Sequence, residues 1–168
     1  MAIHESMVPS ELHGADPGIP LVTSVLDDAD IAVRGDAFAA LVSNENDIAH
    51  VLTGCLGSPS SNVRACAILI LANRGDCRDI DRILLLEGDP SPAVRECVAG
   101  AIGYLGVRDR QDVLVRLLAD AHIGVRKGAA RALLALRCVT GLSGVMGGDA
   151  EMDSLLRELG VVCGDPKA

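Results

Sequence analysis

The chain of 168 residues is 49% apolar and 23% charged, with a mean hydropathy of +0.35, which excludes disorder, collagen and low-complexity tracts and predicts one globular unit. Aromatics make up only 1%, Phe38 and Tyr104 with no Trp, so the core has to be built from Leu, Val, Ile and Ala, a composition suited to helix packed on helix. A net charge of -8 and an isoelectric point near 4.8 oppose the counterion release that drives nucleic-acid binding and disfavour anionic membranes, so neither partner is expected.

The first 15 residues lack periodicity and read as a mobile tail. They contain neither a basic leader nor a long apolar stretch, and no later run approaches the roughly 20 apolar residues of a membrane span, so the expected compartment is the cytoplasm. The six cysteines, Cys55, Cys66, Cys77, Cys97, Cys138 and Cys163, form no C-x-x-C pair. Reduced, mostly buried thiols fit that spacing better than a disulfide framework.

Asp16 and Pro17 offer a cap and first turn for a first helix. From there a periodicity takes over: Val-Arg recurs as Val33-Arg34, Val63-Arg64, Val94-Arg95 and Val125-Arg126, spaced by 30, 31 and 31 residues. Three residues after each Arg stand Ala37, Ala67, Val98 and Ala129, and seven after stand Leu41, Leu71, Ile102 and Leu133, a helical face. Twelve residues before each Arg stand Val22, Leu52, Ile83 and Leu114, so a second amphipathic helix precedes each anchor in phase. Asp30, Ser60 and Ser91 are placed as N-caps, with His122 a poorer one in the last repeat, and Gly75 and Gly106 as helix terminators. The predicted units are 16–45, 46–76, 77–107 and 108–138. Residues 139–168 then supply a glycine-rich loop, a short capping helix starting at Asp149 with Met152, Leu155, Leu156 and Leu159 on one stripe, and a tail.

The pattern Asp-x5-Arg followed by Ala and Leu at helical spacing resembles the HEAT repeat, particularly the short form of phycobilisome-lyase-like proteins, over residues 19 to 138. The resemblance implies an all-α, right-handed α-α superhelix, a HEAT-like and armadillo-like solenoid of about four helical hairpins plus a C-terminal capping helix. It also implies that Asp28, Asp89 and Asp120 with Arg34, Arg64, Arg95 and Arg126 form a polar ladder between stacked repeats and are structural, not catalytic. Ser58 departs from the pattern, so repeat two should bridge less well on one side.

In such a solenoid the second helices line the concave side, and helical phase sets the residues one, four, five and eight after each Arg opposite the core. That strip is mostly apolar, and Phe38, Ile68, Leu69, Lys127, Arg131 and Leu134 are the expected contacts for another protein or peptide, or for a second copy of the chain. Gly35, Gly100 and Gly103 would admit close approach of another backbone.

Catalytic signals are thin. Deoxyhypusine hydroxylase and bilin lyases carry related repeats, and a lyase-like or metal-dependent enzyme subunit is the alternative the resemblance implies. However, the one His-Glu pair is His4-Glu5 in the tail, and His13, His50 and His122 are far apart in the repeat frame. Cys66 and Cys97 fall at equivalent positions of successive repeats, and burial as small apolar residues explains them better than a metal or a thioether. Gly141, Ser143, Gly147 and Gly148 match no nucleophile elbow or phosphate loop. No catalytic residue, metal site or cofactor is expected, and the predicted function is a non-catalytic interaction module, an adaptor or regulatory subunit.

Overall fold

The structure, a computed structural model, describes residues 18–75, 77–138 and 149–160, and every regular element among them is helical. The expected tail, the Asp16-Pro17 helix start, the glycine-rich loop and the segment after the capping helix fall outside the described residues. Four hairpins follow one another: α1 (Gly18–Leu26) with α2 (Ile31–Ser43), α3 (Ala49–Cys55) with α4 (Ser61–Asn73), α5 (Ile80–Leu84) with α6 (Pro92–Leu105), and α7 (Gln111–Leu117) with α8 (Ile123–Leu136). A short 3-10 turn at Arg108–Arg110 leads into α7, and α9 (Ala150–Glu158) closes the series.

The turn inside each hairpin is built one way. Asp28, Ser58, Asp89 and Asp120 accept the backbone N–H two residues on at 2.8, 3.2, 2.8 and 2.8 Å. The arginine six residues on then donates to the carbonyl of the same residue, at 2.6 Å from Arg34, 2.8 Å from Arg64, 2.6 Å from Arg95 and 2.8 Å from Arg126. Backbone groups that a turn leaves unpaired are thereby satisfied without water.

This turn changes the capping expected from sequence. Asp30 caps α2 by accepting from Ala32 N–H at 2.8 Å, but the Ser60 and Ser91 side chains make no cap bond. The Ser60 hydroxyl instead donates to Asp27 at 2.6 Å. His122 begins α8 with the same extended backbone and is no worse than the serines, because the acidic residue two positions earlier and the arginine fix the turn. Gly75 and Gly106 take the left-handed conformation at φ 70°, and Arg137 takes it at φ 54° despite its side chain.

Stacking the hairpins puts the phased aliphatics in one core. Val63, Val94 and Val125, which precede the anchors, are fully buried, as are Ala67, Val98 and Ala129 and, in the first helices, Leu52, Ile83 and Leu114. Each large member contributes about 1.5–3 kcal/mol of burial. Among second helices, α6 packs most extensively on α8 and next on α4, while α2 packs on α4 more sparsely. The tightest approach is at Gly103, where a Cβ would lie 2.8 Å from the Cβ of Ala132. Gly35 and Gly100, by contrast, face open space. The last unit, α9, buries Met152, Leu156 and Leu159 and packs on α8.

Candidate functional site

The second helices carry both the polar ladder and an open apolar groove. In the ladder, Arg64 donates Nε and Nη2 to Asp89 at 2.8 Å each, and Arg95 reaches Asp120 in the same way at 2.7 and 2.9 Å. Both pairs are bidentate, the strongest geometry for a guanidinium on a carboxylate. Side-chain exposure is only 11% for Arg64 and 4% for Asp89. The hydrogen bond from Arg64 holds the Asp89 carboxyl below its ordinary range, and that from Arg95 does the same for Asp120.

The two outer members of the ladder are open. Among the described residues Arg34 donates only to the carbonyls of Asp28 and Ala29, because Ser58 stands where its carboxylate would be. The junction is held differently: Arg74 donates to the carbonyls of Leu41, Val42, Asn44 and Asn46, the end of α2 and the loop after it. Nothing in the repeat phase pointed to Arg74, since Asn44, Leu105 and Leu136 fill its place in the other units.

The groove has a volume of about 620 Å³ and runs across α4, α6 and α8, lined by Leu69, Ala93, Cys97, Gly100, Tyr104 and Ala135, with Glu96 and Arg131 at its edges. Tyr104 is 67% exposed. Burial pushes the Cys97 thiol up to about 11, aided by the neighbouring Glu96 and Cys66, and a thiol held protonated is a poor nucleophile and a poor metal ligand. The groove therefore offers apolar contact, a phenol and charged edges.

Of the contacts expected from sequence, Leu69 and Arg131 belong to this groove, whereas Phe38, Lys127 and Leu134 lie outside its lining. Ile68 is corrected: it is fully buried in the core. Ala99 and Ala130, its equivalents, are buried too, because each of these helices is flanked on both sides, α4 by α2 and α6, α6 by α4 and α8, and α8 by α6 and α9, and its covered arc widens to include the position four after the Arg. The open strip is consequently rotated by roughly 80° from the expected one, onto Ala93, Cys97, Gly100 and Tyr104. Those residues are spaced i, i+4, i+7 and i+11, a stripe visible in the sequence of α6.

The cations at the end of the strip are already engaged. Lys127 contacts Asp149 at 2.5 Å and Glu151 at 2.9 Å, and Arg131 pairs with Glu151. These partners hold the Lys127 ammonium above its ordinary range and the two carboxyls below theirs.

On the outer side, ion pairs join the third and fourth hairpins, Arg110 to Asp81 at 2.8 Å and Arg116 to Glu87 at 2.8 Å, so the alternating charges there tie repeats together. His50 lines a shallow polar cleft of about 290 Å³ with Asp47, Arg78 and Arg82. Among the described residues no cluster of three His, Cys, Asp or Glu could hold a metal ion, and no helix is long and apolar enough to cross a membrane.

Successive helical hairpins, phased core positions and arginine–aspartate rungs define an α-solenoid, the class of repeat proteins in which each unit contacts only its neighbours. The family model for HEAT repeats matches residues 81–159, a stretch that runs from α5 through α9 and supports a HEAT-repeat family. Such repeats generally mediate protein–protein interaction. Comparison with curated proteins finds no match.

Proposed function

We propose that this chain is a non-catalytic interaction module, an adaptor or regulatory subunit of the cytoplasm, that takes another protein or peptide into the groove across α4, α6 and α8. The observation that carries this reading is the groove itself: about 620 Å³ of mostly apolar space with Gly100 facing open volume. A groove of this kind suits one apolar helix face or an extended segment. The arginine–aspartate rungs and the core face hold the stack, leaving the groove residues to recognise the partner.

The test compares capture of proteins by the wild-type chain, by a Gly100→Leu variant that fills the groove, and by an Arg82→Ala variant on the outer face. A partner lost with Gly100→Leu and with Leu69→Glu, yet kept with Arg82→Ala, supports the groove. Partners retained by both groove variants refute it. Metal analysis and an absorption spectrum of the same wild-type sample provide a separate check, since stoichiometric iron or a bound chromophore would overturn the non-catalytic assignment.

A further inference from the structure

The two ends of the solenoid carry complementary halves of one rung. At the first end, Asp28 accepts the Asp30 N–H at 2.8 Å, just as Asp89 accepts from Ser91 and Asp120 from His122 at 2.8 Å. Its carboxylate is thus held in the turn that presents an aspartate to an arginine, but no guanidinium reaches it among the described residues. Residues 1–17 contain neither Lys nor Arg. At the other end, Arg126 keeps its bonds to the carbonyls of Asp120 and Ala121 at 2.8 and 3.1 Å. Its Nε, the atom that in Arg64 and Arg95 serves the next aspartate, is buried and without a partner among the described residues.

The apolar surfaces match this polarity. Val33, in the unit with no hairpin before it among the described residues, is 39% exposed, whereas Val63, Val94 and Val125 at the same repeat position are fully buried. Ile31 is 76% and Leu21 67% exposed, and no residue of α2 is buried. This is the face a preceding repeat would cover. At the far end α8 would present the covering surface, but α9 lies on it through Met152 and Leu156, and Asp149 and Glu151 fasten α9 to Lys127 and Arg131.

We infer that the α1–α2 end is a docking surface for the α7–α8 end of a second copy, with Arg126 of one chain completing the rung of Asp28 in the next, and that α9 is the stop that keeps the resting chain from stacking. Head-to-tail contacts of this kind do not close on themselves unless rotation brings them round, so they extend. A stop is therefore what keeps such a chain a discrete particle.

The experiment is sedimentation of the full chain over a range of concentrations, with helicity checked by circular dichroism. The wild type is expected to keep the mass of one chain. Leu156→Asp, which unseats α9, and independently the pair Lys127→Glu with Arg131→Glu, which repels it, are expected to give a mass that climbs with concentration past that of a dimer. Adding Ile31→Glu, at a site too exposed to affect folding, is expected to return either variant to one chain. In the Leu156→Asp background, Asp28→Arg and Arg126→Asp should each weaken assembly alone and restore it when the two proteins are mixed. Folded α9-loosened variants that stay monomeric, assembly indifferent to Ile31→Glu, or a wild type that assembles unaided would each overturn the inference. A first end covered by residues 1–17 or by an unrelated partner would give the first of those results.

Discussion

Gly103 and Gly100 stand one turn apart on α6 and should answer the same substitution with opposite signs. A Cβ added at Gly100 meets nothing within 4 Å, so Gly100→Ala removes the conformational disadvantage of glycine in a helix, a gain of about 0.5–1 kcal/mol. At Gly103 the new Cβ would lie 2.8 Å from the Cβ and 2.9 Å from the Cα of Ala132. Carbon atoms pack best about 3.5–4.0 Å apart, and one of the two contacts is with backbone, so α6 and α8 have to part by about 1 Å. Overpacking of this order costs about 1–3 kcal/mol, and after the same helix-propensity gain the net loss for Gly103→Ala is about 0.5–2 kcal/mol. For a chain of this size each kcal/mol moves the melting temperature by about 2–4 °C. Urea unfolding followed by far-ultraviolet circular dichroism, with both variants in one experiment, measures the difference. If Gly103→Ala proved as stable as Gly100→Ala, the close packing of α6 on α8 would be wrong.

Asp89→Asn leaves the largely buried Arg64 guanidinium without its carboxylate and should lower stability by about 3 kcal/mol, while Ser58→Asp, which offers Arg34 the rung it lacks, should raise it; thermal melts of the two report both signs. Arg137→Gly relieves a left-handed residue at φ 54° and is expected to stabilise the end of α8 by about 0.5–1 kcal/mol, read as a shift in urea midpoint. Asp89 and Asp120 are both held below the ordinary Asp value of 3.8 by their arginines. Their ionised forms therefore stabilise the fold fully above that value, and the contribution is lost as pH falls through it toward the lowered native one. Melting temperatures taken on acidification should drop more steeply for the wild type than for Asp89→Asn with Asp120→Asn, and parallel curves would refute this.

The fold was readable because a solenoid writes the same few contacts again and again. Val-Arg and the aliphatics three and seven residues later mark a core face in every unit, and their spacing fixes the hairpin count without any long-range information. The rungs were reachable only through the family pattern, since Arg64 and Asp89 are separated by 25 residues and nothing local links them. The groove was legible in part. Phase alone says which way a helix faces, but not how far its neighbours wrap around it, and so it sets Ile68 on the open face and leaves Tyr104 off it, the reverse of their exposures. Features that occur once were invisible: Arg74 at the end of α2, and the contacts of Glu151 with Lys127 and Arg131 across 24 and 20 residues.

Arg74 makes the first hairpin a passenger held by a clasp. Every other inner junction has a bidentate ion pair, but α2 has no fully covered residue, and the polar links here are the Arg74 guanidinium spread over the carbonyls from Leu41 to Asn46 and the Ser60–Asp27 hydrogen bond, beside Leu26 of α1 buried in the common core. In a linear array stability is a sum of unit and junction contributions, so the first hairpin is the unit whose second helix is held by the least junction packing. The amides of α2 should accordingly exchange their protons faster than those of α4, α6 and α8.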